Sequence, residues 1–98
     1  MSSLEIATAM PVVEPADAAA CFALGMAFSI GADGVVDLVQ AHKWFNIAAM
    51  RGHQDGARLR REIADQMSDS EIGCAQRAAR DWLKAHPQAP VVSIRAAA

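Results

Sequence analysis

The chain has 98 residues and a formal net charge of −2, which leaves room for one small domain. Hydrophobic residues make up 53% of the sequence, but many are alanines, which favour helix and bury little area. Tyrosine is absent and long β-branched runs are rare, which argues against a β-sheet. The composition therefore predicts an all-α fold, whereas the small net charge decides nothing about a nucleic-acid partner.

The first 14 residues show no clean hydrophobic period, and prolines at 11 and 15 interrupt the region. We expect a flexible leader there. The leader has no basic n-region, so we expect no cleaved secretory signal. The apolar run at 18–32 is too short and too rich in alanine to cross a bilayer, and we expect no membrane partner.

A first helix is predicted over residues 15–30, and it has no charged residue after Asp17. Glycine within a helix costs about 1 kcal/mol relative to alanine, so Gly25 indicates a close helix–helix contact. Two apolar stripes run along this helix at helical spacing. The first stripe, predicted to pack on the second helix, is Leu24, Ala27 and Phe28, and the second is Phe22, Met26 and Ile30.

The second helix is predicted over residues 37–51, after a connection in which Gly31 and Gly34 permit a short turn. Asp37 suits the N-cap, and Gly52 suits the position after the C-cap. Apolar residues fall on one face, and others lie on the opposite side around Lys43, so neighbours are expected on two sides. The face consists of Leu38, Ala41, Trp44, Phe45, Ala48 and Ala49.

Residues 16–52 resemble one complete unit of the Sel-one-like repeat family, a relative of the tetratricopeptide repeats. The family often has Tyr where Phe28 stands, and its Gly-Val step is displaced by one residue, at Gly34-Val35. The resemblance implies a short α-solenoid fragment of about four antiparallel helices and an adaptor, scaffold or regulatory role. The matching residues are Leu24, Gly25, Phe28, Gly31, Asp37, Ala41, Trp44, Ala48, Ala49 and Gly52.

Two more helices are predicted, over residues 54–67 and 69–86, followed by a flexible tail at 88–98. The sequence RLRR at 58–61 replaces the expected start of another repeat, so the second half resembles a terminal capping segment. Ser68 and Glu71 have the spacing of a capping box, and Pro87 ends the last helix. The last helix is apolar on one side, with Trp82 as its predicted anchor.

The sequence shows no catalytic or metal-binding constellation. Cys21 and Cys74 are expected to be free buried thiols in a reducing, cytoplasmic setting. The histidines at 42, 53 and 86 are expected at helix ends or on the surface, because no pair has ligand spacing. We therefore expect no enzyme activity and no cofactor.

Binding another protein is the function that we expect. In this hypothesis Phe22, Met26 and Ile30 anchor a partner's helix or extended peptide, and Lys43 or Arg58 sets its orientation. One alternative is a homodimer buried through the first helix. The other is a regulator that contacts nucleic acid through the segment from Arg51 to Arg61, although acidic neighbours and missing aromatics argue against it.

Overall fold

A computed structural model describes residues 17–32 and 34–87. This part of the chain forms four α-helices and no strand: α1 (Ala18–Ile30), α2 (Leu38–Met50), α3 (Gln54–Ala64) and α4 (Asp69–Ala85). The all-α prediction is confirmed. The predicted leader at 1–14, the first two residues of the predicted first helix and the predicted tail lie outside the described residues. None of the four helices is long and apolar enough to cross a membrane.

A side chain caps each helix at its N-terminus, which fixes where the helices begin. Asp17 accepts a hydrogen bond from the amide of Ala20, and Asp37 accepts one from the amide of Gln40. These bonds satisfy amides that have no partner within the helix. The predicted capping box is confirmed: Ser68 and Glu71 each accept a hydrogen bond from the other's backbone amide.

The helix ends differ slightly from the predicted bounds. Asp37 and Arg51 are caps of α2 rather than members of it, and His86 is the C-cap of α4. Helix α3 ends at Ala64, three residues before the predicted end, because residues 65 and 66 form a turn. Gly31 and Gly52 have φ angles of 70° and 99°, so both occupy the left-handed conformation that the sequence predicts for them.

Helix α2 lies at the centre of the described fold and packs against all three other helices. The prediction that α2 is contacted on more than one side is therefore confirmed. Helices α3 and α4 both pack on α2, with little backbone contact between the two. The first group of buried core residues joins α1, α2 and α4: Cys21, Trp44, Ile47, Ala48 and Ala79. The second joins α2 and α3: Ala41, Phe45 and Ile63.

Two glycines allow the neighbouring helices to approach α2 closely. A Cβ atom at Gly25 would lie 2.5 Å from Cδ1 of Phe45, and one at Gly56 would lie 3.0 Å from the Cβ of Ala48. Phe45 is 1% exposed, so its ring is enclosed at this point. The missing side chains therefore let α1 and α3 contact α2 at distances that no larger residue permits.

Candidate interaction surface

Phe22, which was predicted to anchor a partner, is partly buried and packs against the core. Its ring stacks on the His53 ring with centroids 4.2 Å apart, and its centroid lies 5.5 Å from that of Phe45. Phe22 is half-buried and packs against both groups of core residues. The physical reason is the position of Gly25, because the residue three positions before it in a helix faces the same neighbour.

The other four residues of the predicted partner site, two apolar anchors and two orienting cations, lie on three different helices. Met26 and Ile30 lie on the outer side of α1, with exposed fractions of 36% and 68%. Lys43 on α2 places its ammonium nitrogen 4.5 Å from the centroid of Trp44. Arg58 forms ion pairs within α3 to Asp55 at 3.2 Å and to Glu62 at 3.4 Å. Both cations are therefore engaged locally.

An open groove of about 260 Å³ lies between α1 and the connection to α2. Leu24, Ala27 and Phe28 share this side of α1 because they are three and four residues apart. These residues were predicted to pack on α2. Leu24 and Phe28 do pack against the core, and they also form the wall of the groove. Of the described residues in the connection, Val35 and Asp37 also line the groove.

The connection is held against the last turn of α1 by backbone hydrogen bonds. The amide of Ala32 donates to the carbonyl of Ala27 at 2.9 Å, and the amide of Asp37 donates to the carbonyl of Phe28 at 3.1 Å. These bonds position Val35 at the groove while leaving 73% of it exposed. A β-branched apolar side chain is therefore exposed to solvent at the edge of the groove.

A second, more open groove of about 390 Å³ lies between α2 and α4. Its lining is mixed: Asn46 and Arg80 contribute polar groups, whereas Leu83 and the 68% exposed Met50 are apolar. The Asn46 side-chain oxygen accepts a hydrogen bond from Arg60 at 2.9 Å. This groove therefore presents less continuous apolar surface than the one beside α1.

Trp82, His86 and Arg51 attach the C-terminal end of α4 to α2. Of these three residues, the sequence predicted only Trp82 as an anchor. Trp82 meets Trp44 edge to face, with centroids 5.2 Å apart, and stacks on His86 with centroids 4.1 Å apart. The Arg51 guanidinium lies 5.1 Å from the Trp82 centroid and donates to the His86 carbonyl at 2.6 Å. Trp82 packs against the core as predicted, and Arg51 holds the end of α4 beside it.

The contact of Arg51 with α4 also affects the segment from Arg51 to Arg61, which was considered for nucleic-acid binding. Arg51 is bound to the end of α4, Arg58 pairs with two carboxylates, and Arg60 donates to Asn46. Three of the arginines between 51 and 61 are thus engaged within the protein. Phosphate binding would have to compete with these contacts.

Two titratable side chains, those of His42 and Cys21, are buried in the described fold. His42 is 2% exposed, contrary to the prediction of a surface or helix-end position, and its Nδ1 has no hydrogen-bond partner among the described residues. Burial, and then the charge of Arg60, lower the pKa of His42. Burial raises the pKa of the Cys21 thiol, which makes it a poor nucleophile. Cys74 is exposed, which corrects its predicted burial.

The described residues contain no group of three or more histidine, cysteine or acidic side chains placed to hold a metal ion. Comparisons with protein-family models, with curated proteins and with solved structures give no match. The resemblance to the Sel-one-like repeats therefore stays a prediction that depends on the residues named for it.

Proposed function

We propose that this chain is a protein-interaction module whose groove between α1 and the connection to α2 binds an apolar segment of another protein. The segment is a helix or an extended peptide that inserts apolar side chains against Leu24, Ala27 and Phe28. The observation that carries the proposal is the apolar groove itself, with Val35 exposed at its edge. Exposed apolar surface arranged as a concave site is typical of places where proteins bind partners.

Charge favours a basic residue in the bound segment. Among the described residues that line the groove, Asp37 is the charged one. Lys43 is the first Lys or Arg in the sequence. The part of the sequence before it therefore contains acidic residues but neither lysine nor arginine. A lysine or arginine beside the apolar anchors of the partner would therefore meet a complementary charge, which selects partners and speeds their association.

The proposed architecture is a short solenoid fragment of the Sel-one-like type, with α1 and α2 as the complete hairpin and α4 as the cap. Gly25 lets α1 approach α2 closely, Asp37 caps α2 and Trp44 belongs to the buried core, which supports this proposal. The exposed thiol of Cys74 fits a reducing, cytoplasmic setting. Binding, rather than catalysis by the described residues, is the role that we assign.

The test uses random peptides displayed on phage and selected against the full chain. We expect the selected peptides to combine two or more large apolar residues with a lysine or arginine. The Val35→Lys variant removes an apolar wall and adds a repelling charge, so the affinity of a synthetic selected peptide should fall at least about tenfold. Titration calorimetry or fluorescence anisotropy would measure the affinity.

Val36→Lys is the matched control, because Val36 is 54% exposed in the same connection but does not line the groove. This variant should bind the peptide as the wild type does. Equal losses in both variants would show that the effect comes from added charge and not from the groove. Selected peptides that bind Val35→Lys undiminished would overturn the proposal.

A further inference from the structure

Helix α1 has a second exposed apolar surface, on the side away from α2. Ala19, Ala23, Met26 and Ile30 are all exposed, and we call these four residues the outer seam. The buried residues of the same helix, Cys21 and Gly25, lie on the opposite side. The outer seam is distinct from the groove, because none of its four residues lines it.

The spacing of the outer seam is that of a helix–helix contact. Its residues are separated by four, three and four positions, which is the alternation of the core positions of a heptad. Residues spaced in this way form a narrow stripe along one face and pack into the corresponding stripe of another helix. The outer seam is therefore shaped for a helix and not for an extended peptide.

The sizes of the seam residues indicate which helix fits. The first two are alanines and the last two are the larger Met26 and Ile30. If two copies of α1 pair antiparallel, Ala19 of one copy faces Ile30 of the other, and Ala23 faces Met26. The pair then contains four layers of facing residues, and in each layer a large side chain packs against a small one. A parallel pair would instead oppose small to small and large to large, which leaves gaps at one end.

Charge also favours a second copy of the same chain. Helix α1 contains no charged residue, so two identical copies meet without opposing like charges. The antiparallel arrangement also places the positive end of one helix dipole beside the negative end of the other. A charged partner helix would find no complementary group along this face.

We propose that the protein self-associates through the outer seam as an antiparallel, two-fold symmetric pair of α1 helices. The same surface contributes from both copies, as a two-fold interface requires. The contact is limited to one helix about 20 Å long, and so falls short of the roughly 800 Å² per partner in standard stable interfaces. The dimer is therefore weak and should dissociate as the protein is diluted.

Sedimentation velocity of the full chain over a wide concentration range tests this proposal. Wild type should pass from monomer to dimer as the concentration rises. Ala23→Glu and Met26→Lys each place a charge in the seam, so each should weaken self-association by at least about tenfold. Both positions are exposed, and both new residues are good helix formers, so the helical circular dichroism should be unchanged.

Mixing the two variants tests the antiparallel register. When Ala23→Glu pairs with Met26→Lys, the new glutamate faces the new lysine and the other layers stay as in wild type. The mixture should therefore form a heterodimer although neither variant dimerises alone. A parallel pair would set each new charge against an unchanged apolar residue, and mixing would not restore the dimer.

Three results would overturn the proposal: wild type that stays monomeric at every concentration, dimers that survive both substitutions, or variants that fail to recover on mixing. A monomer would leave residues 1–16 or another protein as the occupant of the outer seam. The peptide assay is independent, since Ala23→Glu should still bind the selected peptide and Val35→Lys should still dimerise. Failure of one proposal is thus separable from failure of the other.

Discussion

The contact between Gly25 and Phe45 shows how one missing side chain sets the packing of two helices. The Phe45 ring occupies the space that a Cβ at residue 25 would need, and that ring is almost fully buried. The contact fixes which side of α1 faces α2. It also explains why Cys21 and Phe22 lie inward, since both precede Gly25 by about one helical turn.

Gly25→Ala should therefore destabilise the protein although alanine is the better helix former. Overpacking of a core costs about 1–3 kcal/mol, which exceeds the gain of about 1 kcal/mol in helix propensity. We expect a lower free energy of unfolding, measured by chemical denaturation with circular dichroism. The matched control is Gly73→Ala in α4, where a Cβ meets only the flexible end of Arg77. That variant should gain about 0.5–1 kcal/mol, and a similar gain at residue 25 would contradict the packing argument.

At the scale of single elements, the sequence predicts α2 well and the orientation of α1 in part, since Leu24 and Phe28 pack against the core as predicted. Helix α2 carries a capping aspartate, a glycine after its end and bulky residues on a defined face, so its bounds and neighbours follow from local rules. Helix α1 is apolar on every side. Hydrophobic periodicity therefore cannot distinguish its buried face from its exposed one. Centring the buried face on Gly25 would have indicated that Phe22 packs against the core.

The candidate site could also be predicted only in part. Met26 and Ile30 are exposed as a partner surface requires, but Lys43 and Arg58 are held by Trp44 and by the carboxylates of α3. The groove could not be foreseen because it depends on how the connection folds back on α1. That arrangement comes from backbone hydrogen bonds, which the sequence does not specify directly.

Helix α4 depends on Trp82 for its attachment, because the indole contacts Trp44, Arg51 and His86 together. Trp82→Ala should lower the free energy of unfolding by about 3 kcal/mol, the lower end of the range for buried tryptophan, since Trp82 is half-buried. Trp82→Phe keeps an aromatic ring against Trp44 and should lose less than half as much. Thermal unfolding followed by circular dichroism measures both, and equal losses would show that the aromatic contact is unimportant.

On the scale of the whole molecule, the two free cysteines report on the opening of the fold. Cys21 is fully buried between helices and Cys74 is exposed. In native buffer a thiol reagent should label Cys74 at the rate of an unprotected thiol, and Cys21 at least about 100-fold more slowly, because reaction there requires opening. The Cys74→Ser variant leaves only Cys21 to react, and the Cys21→Ala variant leaves only Cys74, so each labelling rate can be measured separately. Comparable rates would mean that the packing around α1 opens readily.

The central position of α2 also has a consequence for folding. Helices α1, α3 and α4 make their main tertiary contacts with α2 and few with one another. Helix pairs that omit α2 make few contacts among the described residues, so we expect the transition state for folding to contain α2. Because α1 and α3 are its neighbours along the chain, the first loops to close are short and cost little entropy. Such a topology of mostly local contacts is typical of proteins that fold quickly.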